Sequence, residues 1–244
     1  GIVYALVWIG ELGGDTRVLD LAARVAALIT PQRIAADVRL DVEGGVAGAI
    51  LGLLALHRRL PEPWLLDRAG ACGRHLVEKQ RPAPTGGAAW AGPDGLMLAG
   101  FAHGAAGISA ALARLHVATG LPELRAAALE GMAYERGLYS PQKGNWPVLE
   151  RGRTGEVEKI WMTAWCHGAP GIALARATAL EVVDDADTRV ELEIALSTTL
   201  AAGVGGPDHL CCGTLGRVDV VLTCGRILER EDLVERAVGH AAIA

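Results

Sequence analysis

Four times in 244 residues a G-x-x-G step opens an apolar run rich in Ala and Leu: "GVAGAILGLLAL" from Gly45, "GAAGISAALARL" from Gly104, "GAPGIALARATAL" from Gly168 and "GTLGRVDVVL" from Gly213. The opening "GIVYALVWI" reads as a fifth, incomplete copy. Between the copies lie segments of helical period with charged faces, at 15–29, 63–80, 122–138, 185–200 and 230–242. A helix that is apolar all round must be buried on all sides, whereas an amphipathic one covers it from outside. Alternation of the two kinds predicts stacked helix pairs closing into a ring. The fold class expected is all-α, an α/α toroid. "VDVVLTC" is rich in β-branched residues, but its helical context outweighs that signal.

The linkers are uneven. Residues 81–95 and 139–160 are long and rich in Pro and Gly, and they precede the third and fourth inner helices. Loops of that length in a compact domain often carry function. Residues 95–113 hold no Asp, Glu, Lys or Arg, yet their glycines and the central His103 argue for a buried segment rather than a membrane span. The net charge of −5 provides no basic face for nucleic acid. The opening stretch has no Met and no basic n-region and does not read as a signal peptide; the chain is expected to start inside a longer, cytoplasmic protein.

Chemistry gathers at the helix mouths. Just before the glycine steps, successive copies read "LDVEGG", "GFAHG", "AWCHG" and "HLCCG", so potential ligands and proton carriers occupy equivalent places. In a ring these places converge on one end of the central cavity. Cys166 comes from one copy, and Cys211 with Cys212 from the next; adjacent cysteines are poorly placed to pair with each other. Three thiolates at one point suit Zn2+. His167 and His209 flank these cysteines and are possible replacements for one of them. Cys72 and Cys224 lie off the register and read as core thiols. His57, His75, His116 and His240 lie at helix ends or on amphipathic segments and are expected to be solvated. His103, in the uncharged stretch at a helix mouth, is the candidate proton carrier.

"LDVEGGVAGAILGLLAL", "LAGFAHGAAGISAALARL", "NWP", "WCHGAPGIALAR" and "LCCGTLG", in this order, resemble the cyclase domain of lanthipeptide synthetases, closest to the bifunctional class II (LanM-type) enzymes. The resemblance runs along essentially the whole chain, residues 1–244. It implies an α/α toroid, zinc on Cys166, Cys211 and Cys212, an acid/base histidine at His103 and an active-site aspartate at Asp41. His167, after the first zinc cysteine, falls on a position the family often gives to Tyr or His and is the third candidate catalytic residue. Stand-alone cyclases carry an arginine where this chain has Met162, which leaves Asp41 without that partner. The other reading of Asp41 is a helix N-cap. The family has seven helix pairs, so the toroid reads as incomplete here, either a segment of a larger synthetase, whose dehydratase domain is not in these residues, or a truncated homologue. On that count the outer flanks of "GIVYALVWI" and of residues 213–222 are expected to be exposed.

The reaction implied adds a peptide cysteine thiol to a dehydroalanine or dehydrobutyrine of the same precursor peptide, forming a thioether ring. Zn2+ with an open fourth position would hold the sulfur as thiolate, because a free thiol is mostly protonated at neutral pH. The partners implied are a ribosomally made precursor peptide containing dehydrated Ser/Thr and Cys, and the dehydratase domain of the same synthetase. Two alternatives share these residues: a thiol transferase adding glutathione to dehydrated proteins, and a non-catalytic peptide-binding module in which zinc is structural.

Overall fold

The computed structural model describes residues 1–243, and their secondary structure follows the repeat. Five helices form the inner layer: α1 (Ile2–Gly13), α4 (Val46–His57), α6 (Ala105–Thr119), α8 (Ala169–Ala179) and α10 (Thr214–Ile227). Five more cover them: α2 (Thr16–Ala26), α5 (Pro63–Lys79), α7 (Pro122–Arg136), α9 (Ala186–Ala201) and α11 (Glu231–Ala241), each packed on the inner helix that precedes it. Inner helices also pack side by side in the order α1, α4, α6, α8, α10. Comparable packing between α10 and α1 is absent among the described residues, so the toroid is open on that side. There α1 buries Val3, Val7 and Gly10 and leaves Ile2, Trp8, Ile9 and Leu12 in solvent. Among the described residues no helix is long and apolar enough to cross a membrane.

The G-x-x-G step has a steric cause. Its first glycine is the N-cap of the inner helix in all four copies, at Gly45, Gly104, Gly168 and Gly213. The second lies against the loop that leads into the helix. A Cβ at Gly107 would stand 1.9 Å from the Phe101 carbonyl oxygen, and one at Gly216 would stand 1.9 Å from that of Leu210. Each mouth loop therefore folds back over the first turn of its own helix, where only hydrogen fits. Gly168 adds a backbone requirement, since its φ of 76° is in the left-handed region.

The linkers hold the few strands, which the sequence pattern did not reveal. β1 (Arg81–Pro82) pairs with β2 (Ala88–Ala89). β3 (Pro147–Arg151) pairs antiparallel with β4 (Val157–Trp161) in a hairpin that begins at "NWP" and delivers the chain to Met162. A short helix, α3 (Pro31–Ala35), stands before the first mouth loop. The expected uncharged stretch 95–113 divides: 95–104 is mostly turn, and only from Ala105 is it helix.

The core runs the length of the toroid and takes in Cys72 and Cys224, both fully buried as expected. Burial pushes their thiols up to about 12. Arg176 of α8 is fully buried too, and its guanidinium joins Glu135 of α7 (2.8 Å) and Glu191 of α9 (2.6 Å). His75 corrects the expectation of solvation: it is buried, with Nε2 2.9 Å from the Asp37 carbonyl oxygen. His116 is half-buried, its Nδ1 2.9 Å from the Leu121 carbonyl oxygen, while His57 and His240 are partly exposed.

Candidate metal and proton-transfer site

The four mouth loops are stitched to one another by backbone hydrogen bonds at equivalent places. Val42 and Glu43 N–H groups donate to the Ala102 carbonyl, and those of Phe101 and Ala102 donate to the Cys166 carbonyl. The Cys166 N–H in turn donates to the Cys211 carbonyl. Measured from the N-cap glycine, Glu43, Ala102, Cys166 and Cys211 occupy one register, and Gly44, His103, His167 and Cys212 the next. The sequence repeat thus becomes a belt of side chains around one end of the cavity.

Cys166, Cys211 and Cys212 meet in that belt, with their sulfurs all within 4.8 Å of one another. Cys212 Sγ lies 3.4 Å from both Cys166 Sγ and Cys211 Sγ. Tetrahedral zinc with bonds of about 2.3 Å places its sulfurs about 3.8 Å apart, so three adjacent corners of such a site fit this spacing. All five cysteines are free thiols. Burial first, then Cys212 and Cys211, push the Cys166 thiol above its ordinary range. Cys211 is pushed up as well, first by partial burial, then by Cys212, with a further contribution from the Glu43 carboxylate. Such a cluster holds its protons unless a cation compensates the thiolates, and the group could bind a metal.

The flanking histidines do not belong to the cluster. His209 Nδ1 accepts the Cys212 N–H at 3.2 Å, a turn contact. His167 Nδ1 is buried without a hydrogen-bond partner, and burial first, then His103, hold its imidazole below the ordinary pKa. Its ring centroid is 6.0 Å from that of His103.

His103 bridges two carboxylates on the neighbouring mouth loop. Its Nδ1 lies 2.9 Å from Asp41 Oδ2 and its Nε2 lies 3.0 Å from Glu43 Oε2. The carboxylates differ sharply in setting: the Asp41 side chain is 7% exposed and that of Glu43 is 63% exposed. Asp41 Oδ1 also accepts the Gly44 N–H, three residues on, at 2.7 Å, a local bond inside the loop. Helix capping falls to Asp37, whose Oδ2 accepts the Val46 N–H at 2.9 Å. Asp41 is therefore partnered although Met162 replaces the family arginine: His103 binds it, and Arg39 Nη2 stands 3.9 Å away.

Glu43 and Arg39 were missed in the sequence, although Glu43 shares the register of Cys166 and Cys211 inside the quoted "LDVEGG". Asn145 of "NWP" has a structural task there. Its Nδ2 donates to the Met162 carbonyl at 3.0 Å, and its Oδ1 accepts the Trp146 and Ala169 N–H groups, each at 2.8 Å. One buried amide thus ties the hairpin to both ends of the Cys166–His167 loop.

Fold and site together define a class: a toroid of helix pairs with a group of three cysteines at the helix mouths and a carboxylate-held histidine beside it. A family model for lanthionine synthetase C-like proteins matches residues 1–242, and the chain belongs to that family. Among solved structures it is similar to nisin cyclase, with a TM-score of 0.67 at 17% identity. That match covers 96% of this chain but only 65% of nisin cyclase. It is also similar to a GH76 α-mannanase from Bacteroides thetaiotaomicron, with a TM-score of 0.59 at 10% identity, over 78% of this chain and 54% of the other. At these identities the likeness is one of fold, and a fold shared with a mannanase leaves function to be argued from the site.

Proposed function

We propose that this chain forms thioether rings, adding a peptide cysteine thiol across the alkene of a dehydroalanine or dehydrobutyrine in the same peptide. The observation that carries this reading is the convergence of three cysteine sulfurs with the Asp41–His103–Glu43 arrangement on one belt of mouth loops. Cys166, Cys211 and Cys212 would hold zinc, leaving a fourth position open because no further Cys, His, Asp or Glu joins their group among the described residues. Zinc bound there would lower the pKa of the incoming thiol and keep its sulfur electron-rich.

The chain's own residues handle the proton. Buried Asp41 fixes the ring of His103 through Nδ1–H, while Nε2 lies against Glu43. Exposed Glu43 can swing from Nε2 as the peptide arrives, whereas Asp41 cannot. His103 takes the thiol proton at Nε2; the sulfur bonds to the β carbon, the alkene electrons move onto the carbonyl as an enolate, and His103 returns the proton to the α carbon. The addition is an isomerisation, and no atom is lost. The alkene must be supplied by a separate dehydration of Ser or Thr, a step with no residues assigned to it here.

The test uses a dehydrated peptide with one cysteine. Ring formation consumes the maleimide-reactive thiol at unchanged mass, and zinc-loaded wild type should do this while His103→Asn retains zinc and slows it about 100-fold or more. A thiol that persists with zinc-loaded wild type would overturn the proposal. A mass gain of one glutathione, when that thiol is supplied, would favour the transferase alternative.

A further inference from the structure

The axial cavity beneath the cysteine belt holds a charge that nothing in the fold uses. It is a space of about 450 Å³, well within the range of ligand sites, and it continues into a second space of about 690 Å³ through shared wall residues Tyr4, Leu51, Arg114 and Thr178. The repeat sets its walls in tiers. Ten residues beyond the N-cap glycine the inner helices α4, α6, α8 and α10 carry Ala55, Arg114, Thr178 and Thr223, so one long cation stands among small side chains at the waist. The upper space above it is largely apolar, lined by the Phe101–Trp165 ring pair (centroids 5.3 Å apart) and by one carboxylate, that of Asp219 on α10, which partial burial holds above the ordinary carboxylate range.

Arg114 forms no salt bridge with any described carboxylate. Burial lowers its pKa; Tyr4, Arg58 and Glu181 act on it only through space, and none hydrogen-bonds it. The contrast is Arg176 one helix on, whose guanidinium is matched to two carboxylates. A partly desolvated guanidinium turned into a cavity and left without an anion is a binding group awaiting one.

We propose that Arg114 is a subsite for a carboxylate of the peptide substrate, either its C-terminus or an Asp or Glu side chain. This deepens the proposed function and rests on it for the identity of the ligand as a peptide. The register also sets the spacing. Cys211 lies in the mouth loop and Arg114 ten residues after its own cap glycine, so the two are separated by about 15 Å of axial rise, less the reach of the side chain. An extended peptide covers that in about four to five residues, so the carboxylate should lie that far from the reacting cysteine.

The test uses N-acetylated hexapeptides of Ala, Leu and Ser in three forms: a free C-terminal carboxylate, a C-terminal amide, and the amide with one internal Glu. Binding to the full chain is measured by isothermal titration calorimetry in wild type and variants alike, and in wild type the Arg114 side-chain 15Nε–1Hε resonance, assigned by its loss in Arg114→Gln, should shift on binding. At least one carboxylate form should bind roughly tenfold or more tighter than the plain amide, and whichever does so names the source. The preference should vanish in Arg114→Gln and persist, weakened, in Arg114→Lys. Equal affinity for all three forms in wild type, or a preference that survives Arg114→Gln, would overturn the subsite. The probes contain no thiol and no alkene. A protein that bound them as expected yet formed no thioether would keep this inference and lose the proposed activity.

Discussion

Gly216→Ala isolates the steric demand behind the repeated glycine step. The new methyl would stand 1.9 Å from the Leu210 carbonyl oxygen, 2.9 Å from its carbon and 3.2 Å from Trp165 Cβ. Two of these atoms are backbone, so the loop itself must retreat by about 1.5 Å to reach ordinary contact. Leu210 immediately precedes Cys211 and Cys212, so the retreat carries two of the three thiols with it, against a tolerance of about 0.2 Å in metal–ligand distance. Overpacking of this kind costs about 1–3 kcal/mol. At about 2–4 °C per kcal/mol for a chain of this length, Tm should fall by roughly 2–12 °C. Bound zinc, read by elemental analysis after gel filtration, should fall well below that of wild type. Gly239→Ala is the control: that glycine is an exposed interior position of α11 with open space around it, and the same substitution should stabilise by about 0.5–1 kcal/mol. If Gly216→Ala kept the wild-type Tm and full zinc content, the steric account of the mouth loops would be wrong.

Three further outcomes are expected. Arg176→Met should cost about 3–5 kcal/mol in denaturant melts, because it strands Glu135 in the core and leaves Glu191 with Arg136 alone, and adding Glu135→Leu should recover part of that loss. Asn145→Ala leaves the Ala169 N–H without its acceptor and frees the Met162 carbonyl; it should destabilise by about 1–3 kcal/mol and weaken zinc binding, measured by competition with a chelator. In the ring-forming assay Asp41→Asn should be far more damaging than Glu43→Gln, since Asp41 is the buried carboxylate that orients His103; comparable losses would contradict the division of labour.

The layering of the toroid was legible because the repeat ties burial to position: an apolar helix after each glycine step can only be inner, and the charged segments between can only be outer. The cysteine convergence was legible for the same reason, since register along a repeat becomes proximity around a ring. What escaped depends on contacts between copies or on chain that does not repeat. Glu43 had no chemistry of its own until His103 from the next loop came to it. Asp41 looked partnerless because only the Met162 position was considered, while its partners lie on another loop and two residues away at Arg39. His75 sits on an amphipathic helix, yet burial there is set by the Asp37 loop packed over it, which the helical period does not encode. The β3–β4 hairpin carries no alternating pattern, because β4 lies largely in solvent. The outer flank of α1 is exposed as anticipated, whereas the expected exposure along residues 213–222 is not seen: Val218, Val220 and Val221 are buried and only Asp219 is exposed.

The claim that matters most is that Cys166, Cys211 and Cys212 form an open three-sulfur zinc site. Zinc K-edge X-ray absorption on the loaded chain measures it directly, before and after addition of a cysteine-containing peptide. We expect three sulfurs at about 2.3 Å and one lighter donor, with the lighter donor replaced by a fourth sulfur when the peptide binds. Four protein ligands that do not change on adding peptide would contradict the claim and leave the zinc a structural one.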